Sequence, residues 1–261
     1  LVADARRHGV TVLGPDLNAS AAAATLEGQR EAPAVRLGIS SVRLIGAELA
    51  EQIAAGRPYA HMEDLASRVA LSAPQLESLA TAGAFAGLGL ERRAALWSAG
   101  AVAGTRPGHL AGTVTGAVAP ELPAMTALDT TAADVWAIGL SPERSATEFV
   151  RAELDALGVV TAAGLADVRH GTRVLVGGVV THRQRPATAS GITFLNLEDE
   201  TGLINVICSV GVWQRFLRIA RDCPALVIRG RLEKIEGVTN IVAEHFRPLE
   251  LPMSARSRDF R

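Results

Sequence analysis

Glu198, Asp199 and Glu200 put three carboxylates in a row, the ligand chemistry of a divalent cation. Their setting, Asp199-Glu200-Thr201-Gly202, reads instead as a charged hairpin turn between two strands. The six histidines are scattered, none at metal-ligand spacing from another His, Cys or carboxylate. No Walker loop and no dinucleotide fingerprint occurs. Cys208 closes an apolar strand and reads as a small buried hydrophobe rather than a nucleophile. No residue is therefore assigned to catalysis or to a metal. What remains is chemistry suited to a polyanion: arginines, one outward aromatic, and glycines in helical hairpins.

The aromatic lies in Gly191-Ile192-Thr193-Phe194-Leu195-Asn196-Leu197. Alternation sets Thr193, Leu195 and Leu197 on one face and Ile192, Phe194 and Asn196 on the other. If the leucines fill a core, Phe194 points outward, where a base can stack for about 1–3 kcal/mol. The alternative is that Phe194 packs under a loop or a neighbouring domain. Arg183 and Arg185 leave the preceding strand, and Arg229 and Arg231 share a face of a later one. All four are candidates to track phosphates. In the first half, Leu44-Ile45-Gly46 and Ala82-Gly83-Ala84-Phe85 each place a glycine-containing hairpin between helices. Gly46 and Gly83 would let a phosphate approach the free N–H groups of the next helix, beside Arg43, Arg92 and Arg93. Glycine is also an ordinary helix stop, so each hairpin alone is a weak signal.

The elements that position these groups fall into two kinds. Val10–Leu13 reads as a short strand, followed by a polar connection to about Ala34. Residues 37–103 read as helices. One helix spans Met62–Val69, and Ser72 with Gln75 forms a capping box for the next, which runs to Gly83. Residues 104–130 read as a Gly- and Pro-containing linker, and 131–168 as a helical connector, with Thr131 capping one helix and Ser141-Pro142 opening another that Gly158 closes. From 169 to 250 the order is three strands, one amphipathic helix and two strands, the order of an OB-fold barrel. Gly177-Gly178 marks a bend at a barrel corner. Residues 251–261 form a tail. The predicted class is α+β and multidomain: a tandem helix-hairpin-helix region followed by an all-β OB barrel.

At 261 residues and 48% apolar the chain has material for two or three domains, and no apolar run is long enough to span a membrane. Two cysteines cannot build a disulfide framework, which fits a reducing, cytoplasmic setting. The net charge of −1 conceals an asymmetry. Residues 1–168 carry 12 Arg and 18 acids, a net of −6; residues 169–261 carry 13 Arg, Lys234 and 9 acids, a net of +5. The second half is the better partner for a polyanion. The chain lacks a starting Met and a signal peptide, as a piece of a longer protein would.

The runs Val180-Thr181-His182-Arg183-Gln184-Arg185-Pro186 and Thr188 to Gly202 resemble the OB domain of the bacterial error-prone DNA polymerases, relatives of the replicative polymerase III alpha subunit. Ser257-Arg258-Asp259-Phe260-Arg261 is similar to the native C-terminus of that family. Ala5-Arg6-Arg7-His8-Gly9-Val10, Pro15 to Ser20 and Val35 to Ile39 are similar to the passage that leads, through residues 1–36, from the fingers side of the polymerase into its tandem hairpins. The resemblance covers nearly the whole chain. It implies a low-fidelity, template-directed nucleotidyltransferase acting in DNA repair, damage-induced mutagenesis and translesion synthesis. Its magnesium-binding carboxylates lie in an upstream palm, so this segment is expected to be inactive alone and to hold no cofactor. The implied partners are primer-template duplex, single-stranded template and accessory translesion proteins, with no membrane.

Two departures stand out. Leu44 occupies the place where relatives commonly have a first hairpin glycine, and Pro120-Glu121-Leu122-Pro123-Ala124 lacks the clamp-binding pentapeptide of the replicative relatives. The sliding clamp is accordingly expected to be reached only indirectly. Two other readings stay open: a protein-interaction module that docks the polymerase to accessory proteins without binding DNA, and a freestanding single-strand- or anticodon-binding OB protein. The helical half and the tail argue against the last.

Overall fold

The computed structural model of the protein describes residues 2–29, 31–104, 118–253 and 258–259. It divides into two compact units, Leu1–Glu143 and Arg144–Arg261.

The first unit opens with helix α1 (Val2–Arg7) and a small sheet of β1 (Thr11–Leu13), β2 (Thr25–Gln29) and β3 (Ala32–Arg36), in the order β1-β3-β2. The polar connection predicted up to Ala34 is corrected here, because β2 and β3 form an antiparallel hairpin within it. No residue of that hairpin is fully buried, so no apolar alternation marks it in the sequence.

Helices α2 (Ala47–Ala55), α3 (Met62–Arg68), α4 (Ala73–Thr81) and α5 (Arg92–Val102) follow. Ser72 N–H donates to Gln75 Oε1 at 2.9 Å, the backbone half of the expected capping box. Leu76, Leu79 and Phe85 are fully buried with Ile53 and Leu65 in the core of this unit. Removing each such side chain from water is worth about 2 kcal/mol.

Helix α6 (Ala127–Ile138) is capped five residues before the predicted cap, Thr131. Its cap is Thr126, whose Oγ1 accepts the Asp129 N–H while Asp129 Oδ2 accepts the Thr126 N–H, both at 3.1 Å. Thr131 is buried inside the helix. The Arg43 N–H donates to Ala137 O at 2.7 Å, which seats α6 on the helical core. The stretch predicted as one connector, 131–168, is thus shared between the two units. Of the predicted linker, residues 105–117 lie outside the described residues.

The second unit starts with a 3-10 turn (Ala146–Val150), α7 (Arg151–Ala156) and the short β4 (Val159–Val160). The helix expected from Ser141-Pro142 starts later, where the Ser145 N–H donates to Glu148 Oε1 at 2.7 Å. A closed barrel follows: β5 (Arg173–Gln184), β6 (Thr193–Glu198), β7 (Leu203–Cys208), α8 (Val210–Arg215), α9 (Leu217–Asp222), β8 (Ala225–Ile235) and β9 (Val238–Pro248). The strand order is β5-β6-β7-β9-β8, and β8 pairs back onto β5. This is the predicted three-strand, helix, two-strand order of an OB-like barrel. Strand β5 serves two neighbours by bending at Gly178, where a Cβ would lie 2.7 Å from Glu198 O. Val176, Val180, Leu195, Leu197, Ile228, Ile241 and Phe246 fill the barrel. Of the tail, β10 (Arg258–Asp259) lies parallel to β5 at His182 and Arg183, and residues 254–257, 260 and 261 lie outside the described residues.

The carboxylate row has a structural role. Asp199 Oδ1 accepts from the N–H groups of Thr201 and Gly202 and from the Thr201 hydroxyl, and Oδ2 accepts the Ala162 N–H at 2.7 Å. Glu200 accepts from Arg151 Nε at 2.5 Å and from the Thr147 hydroxyl at 2.6 Å. The turn thereby ties the segment before the barrel to the barrel itself. Among the described residues, no group of His, Cys, Asp and Glu could hold a metal ion.

Candidate nucleic-acid interface

On the barrel, Leu195 and Leu197 are buried inside while Phe194 stands half-buried on the outer face. Strand register carries that outer position across the sheet. Gln184 on β5 faces Phe194 on β6, Phe194 faces Ile207 on β7, and Ile207 faces Val242 on β9. Phe194, Ile207 and Val242 thus form an apolar row outside the barrel core. A parallel row runs beside it, from His182 through Asn196 and Asn205 to Asn240. Asn196 Nδ2 donates to Asn205 Oδ1 at 2.8 Å.

The candidate arginines separate into different roles. Arg185 is exposed in the loop after β5. Arg183 is not available to phosphates: it is 7% exposed, and its guanidinium donates to the carbonyls of Ala220 at 2.8 Å and Cys223 at 2.5 Å. A β-bulge between Val180 and His182 reverses the alternation of β5 and turns Arg183 inward. Arg229 and Arg231 are exposed on β8, alternating with buried Ile228, Gly230 and Leu232. Strand β8 pairs with β5 only over Arg173–Val179, with Arg229 opposite Leu175 and Arg231 opposite Arg173, at the other end of β5 from Arg183 and Arg185, so the two pairs of arginines do not share one track. Arg231 instead faces Val242, at the far end of the apolar row.

In the helical unit, Gly46 is the N-cap of α2, with no side chain capping it and open space around its Cα. Arg43 lies beside it with its guanidinium 4.8 Å from the Trp136 ring centroid. Leu44 adopts the left-handed conformation, with φ 64°, that a hairpin glycine would take freely.

The second hairpin differs. Gly83 has φ +78° and its Cα packs against the guanidinium of Arg92, where a Cβ would lie 2.7 Å from Nε. Arg92 bridges to Asp134 Oδ1 at 2.7 Å and donates to Thr81 O at 3.1 Å. Arg93 pairs with Asp129 at 3.2 Å. In the turn that follows, the Gly87 N–H donates to Asp16 Oδ2 at 2.9 Å. Gly83 and Arg92 therefore hold the fold together rather than presenting donors to a phosphate.

Burial raises the carboxyl pKa of Asp134 even against Arg92. Glu200 shifts the other way: burial works against its charge, but the hydrogen bonds from Arg151 and Thr147 outweigh it and hold the carboxyl low. Burial also pushes the Cys208 thiol up to about 12, so it stays protonated and unreactive at neutral pH.

Sequence reasoning missed the asparagine row and the partners of Phe194, because register between strands is not written in any one strand. It also missed a stack on the barrel, in which Arg215 lies 5.3 Å from the Phe216 ring and Phe216 meets His245 edge-on at 4.7 Å. The signal that could have found the asparagines was their type, since Asn is disfavoured in the middle of a strand.

Comparison with known proteins places these features. Residues 9–95 match a family model described as a helix-hairpin-helix motif. The whole chain is 58% identical to part of the error-prone DNA polymerase of Nocardia farcinica, covering 24% of that protein. It is 54% identical to part of the error-prone DNA polymerase of Mycobacterium tuberculosis H37Rv, again covering 24% of it. The chain thus spans about a quarter of the length of the curated relatives it matches. Among solved structures, asparaginyl-tRNA synthetase from Pyrococcus horikoshii aligns with 36% of this chain and 24% of its own at 17% identity and a TM-score of 0.31. Over its full length, with a helix-hairpin-helix region ahead of an OB-like barrel, the chain is similar to the C-terminal region of error-prone DNA polymerases.

Proposed function

We propose that this chain is the DNA-handling portion of a polymerase that copies damaged template in translesion synthesis and damage-induced mutagenesis. The barrel holds single-stranded template across Phe194, Ile207 and Val242. The first hairpin, at Arg43 and Gly46, approaches the duplex backbone. Nucleotide addition, with its magnesium ions, is assigned to the remainder of the polymerase. The observation that carries this reading is the half-buried apolar row on the outer barrel face, with Arg185 near one end and Arg231 at the other. Bases stack on such a surface while flanking arginines meet phosphates.

Fluorescence anisotropy of a labelled single-stranded oligonucleotide tests it. Binding should weaken steeply with salt, and Phe194→Ala should cost about 1–3 kcal/mol. Absence of binding by the wild-type chain at low salt would overturn this assignment.

A second reading draws on α5, where Leu96 is 45% and Trp97 54% exposed. An exposed aliphatic–aromatic pair suits a protein contact. It supports docking of accessory translesion proteins, through which the polymerase would reach the sliding clamp. A direct, saturable complex between this chain and the clamp would contradict that indirect route.

A further inference from the structure

Past the end of the apolar row, the barrel gathers a second group of cations. Arg231 faces Val242, where the row ends. Two residues away on β8, on the same face, stands Arg229, opposite His245 on β9. A register shift between Arg229 and Gly230 leaves Glu244 without a cross-strand partner on β8 and brings His245 onto the face of Arg229. The His245 ring meets Phe216 edge-on at 4.7 Å, and the Arg215 guanidinium lies over Phe216 at 5.3 Å. Arg247 follows His245 two residues on along β9. Arg215, Arg229, Arg231 and Arg247 are all exposed. None of them has an acidic partner among the described residues. Two acids of these elements are answered by other arginines: Glu244 by Arg173 at 3.1 Å and Asp222 by Arg221 at 2.6 Å. The cluster is thus left positive, and an anion would relieve its mutual repulsion.

We propose that Arg215, Arg229 and Arg247, gathered around the stack of His245 on Phe216, form a second contact surface for single-stranded nucleic acid. It receives the phosphates of the strand that leaves the apolar row at Arg231. This rests on the assignment of single-stranded template to the Phe194 row. Stacking on Phe216 holds the planar Arg215 fork in place before a ligand arrives, so little rotamer freedom is lost when a phosphate binds. The contacts are to phosphate, so the surface accepts any base sequence. It lengthens the stretch of template that one barrel can hold.

Anisotropy with labelled oligo(dT) of two lengths, about 5 and about 15 nucleotides, tests this within the range of single OB-fold sites. The short oligomer fills the Phe194 row, and the long one reaches past Arg231. Wild type should bind the long oligomer more tightly and with a steeper salt dependence. Arg215→Ala/Arg247→Ala should leave the short oligomer unaffected. It should flatten the logarithmic salt slope for the long one by about 1.4, two phosphates at about 0.7 each. Arg215→Lys/Arg247→Lys should restore the slope, because a phosphate contact of this kind needs the charge alone. If the alanine variant leaves the long-oligomer slope unchanged, or weakens both lengths equally, the second surface is overturned and the Phe194 row stands. If Phe194→Ala leaves long-oligomer binding intact while the arginine variant removes it, the second surface stands and the Phe194 row fails. If wild type binds neither oligomer at low salt, both are overturned.

Discussion

The candidate arginines of the two units differ in what meets them. In the helical unit, Arg92 and Arg93 are each answered by an acid on α6, Asp134 and Asp129. Their charge fastens one helix to the rest and leaves little field outside. In the barrel unit, Arg229 and Arg231 alternate with core residues and have no acidic partner among the described residues. Arg183 breaks that pattern, since its guanidinium is turned inward onto two carbonyls. Counting arginines therefore measures potential partners poorly. Whether a carboxylate or carbonyl on the same unit already meets the guanidinium decides what it can do for a ligand.

The largest effect that would break this contrast is in the barrel. Arg183→Ala should destabilise the second unit by about 3 kcal/mol, because the Ala220 and Cys223 carbonyls lose a charged donor. Thermal unfolding followed by circular dichroism reads this out. An unchanged transition would return Arg183 to the pool of surface charges.

Next comes the helical clamp, where the effect should depend on pH. Asp134 has a carboxyl pKa raised in the fold, so its contribution is fullest below the unfolded value and declines as pH rises through the folded one. Arg92→Ala removes its counter-ion and should cost more at pH 8 than at pH 5. Glu200 provides the opposite sign. Its pKa is held low, so its contribution is present at neutral pH and is lost as pH falls through that low value. Arg151→Ala should therefore weaken the barrel at pH 7 and matter little in strong acid. Hydrogen exchange of amides in each unit, measured across pH, separates the two.

The smallest effect sharpens the surface side of the comparison. Arg229→Ala/Arg231→Ala should flatten the salt dependence of single-strand binding by roughly 0.7 in logarithmic slope for each phosphate no longer neutralised. Arg93→Ala, which removes a paired charge, should leave that slope alone.

Much of the barrel was legible in the sequence because its strands alternate and its turns are marked by Gly202 and Gly237. The outward aim of Phe194 followed from the same alternation. Arg183 was misread because one bulge, at Thr181, changes the parity of every residue after it, and nothing local announces it. The start of α6 was legible in principle. Thr126 has an acid three residues on at Asp129, whereas Thr131 has Asp134 at the same spacing and is buried in the helix instead. Two equal signals compete, and packing on the helical core selects one. The β2–β3 hairpin left no pattern because its side chains bury so little.

Asp16 gives the second hairpin a meaning of its own. Its carboxylate is bound by the N–H groups of Asn18, Ala19 and Gly87, so the chain supplies from within the anion that such a turn would otherwise recruit. A resident anion of this kind makes the turn self-sufficient: it is ordered before any nucleic acid arrives, and an incoming phosphate would be a rival for the same donors. The two hairpins thus differ: one is braced from within by Asp16, while at the other the N-cap of α2, Gly46, carries no side-chain cap.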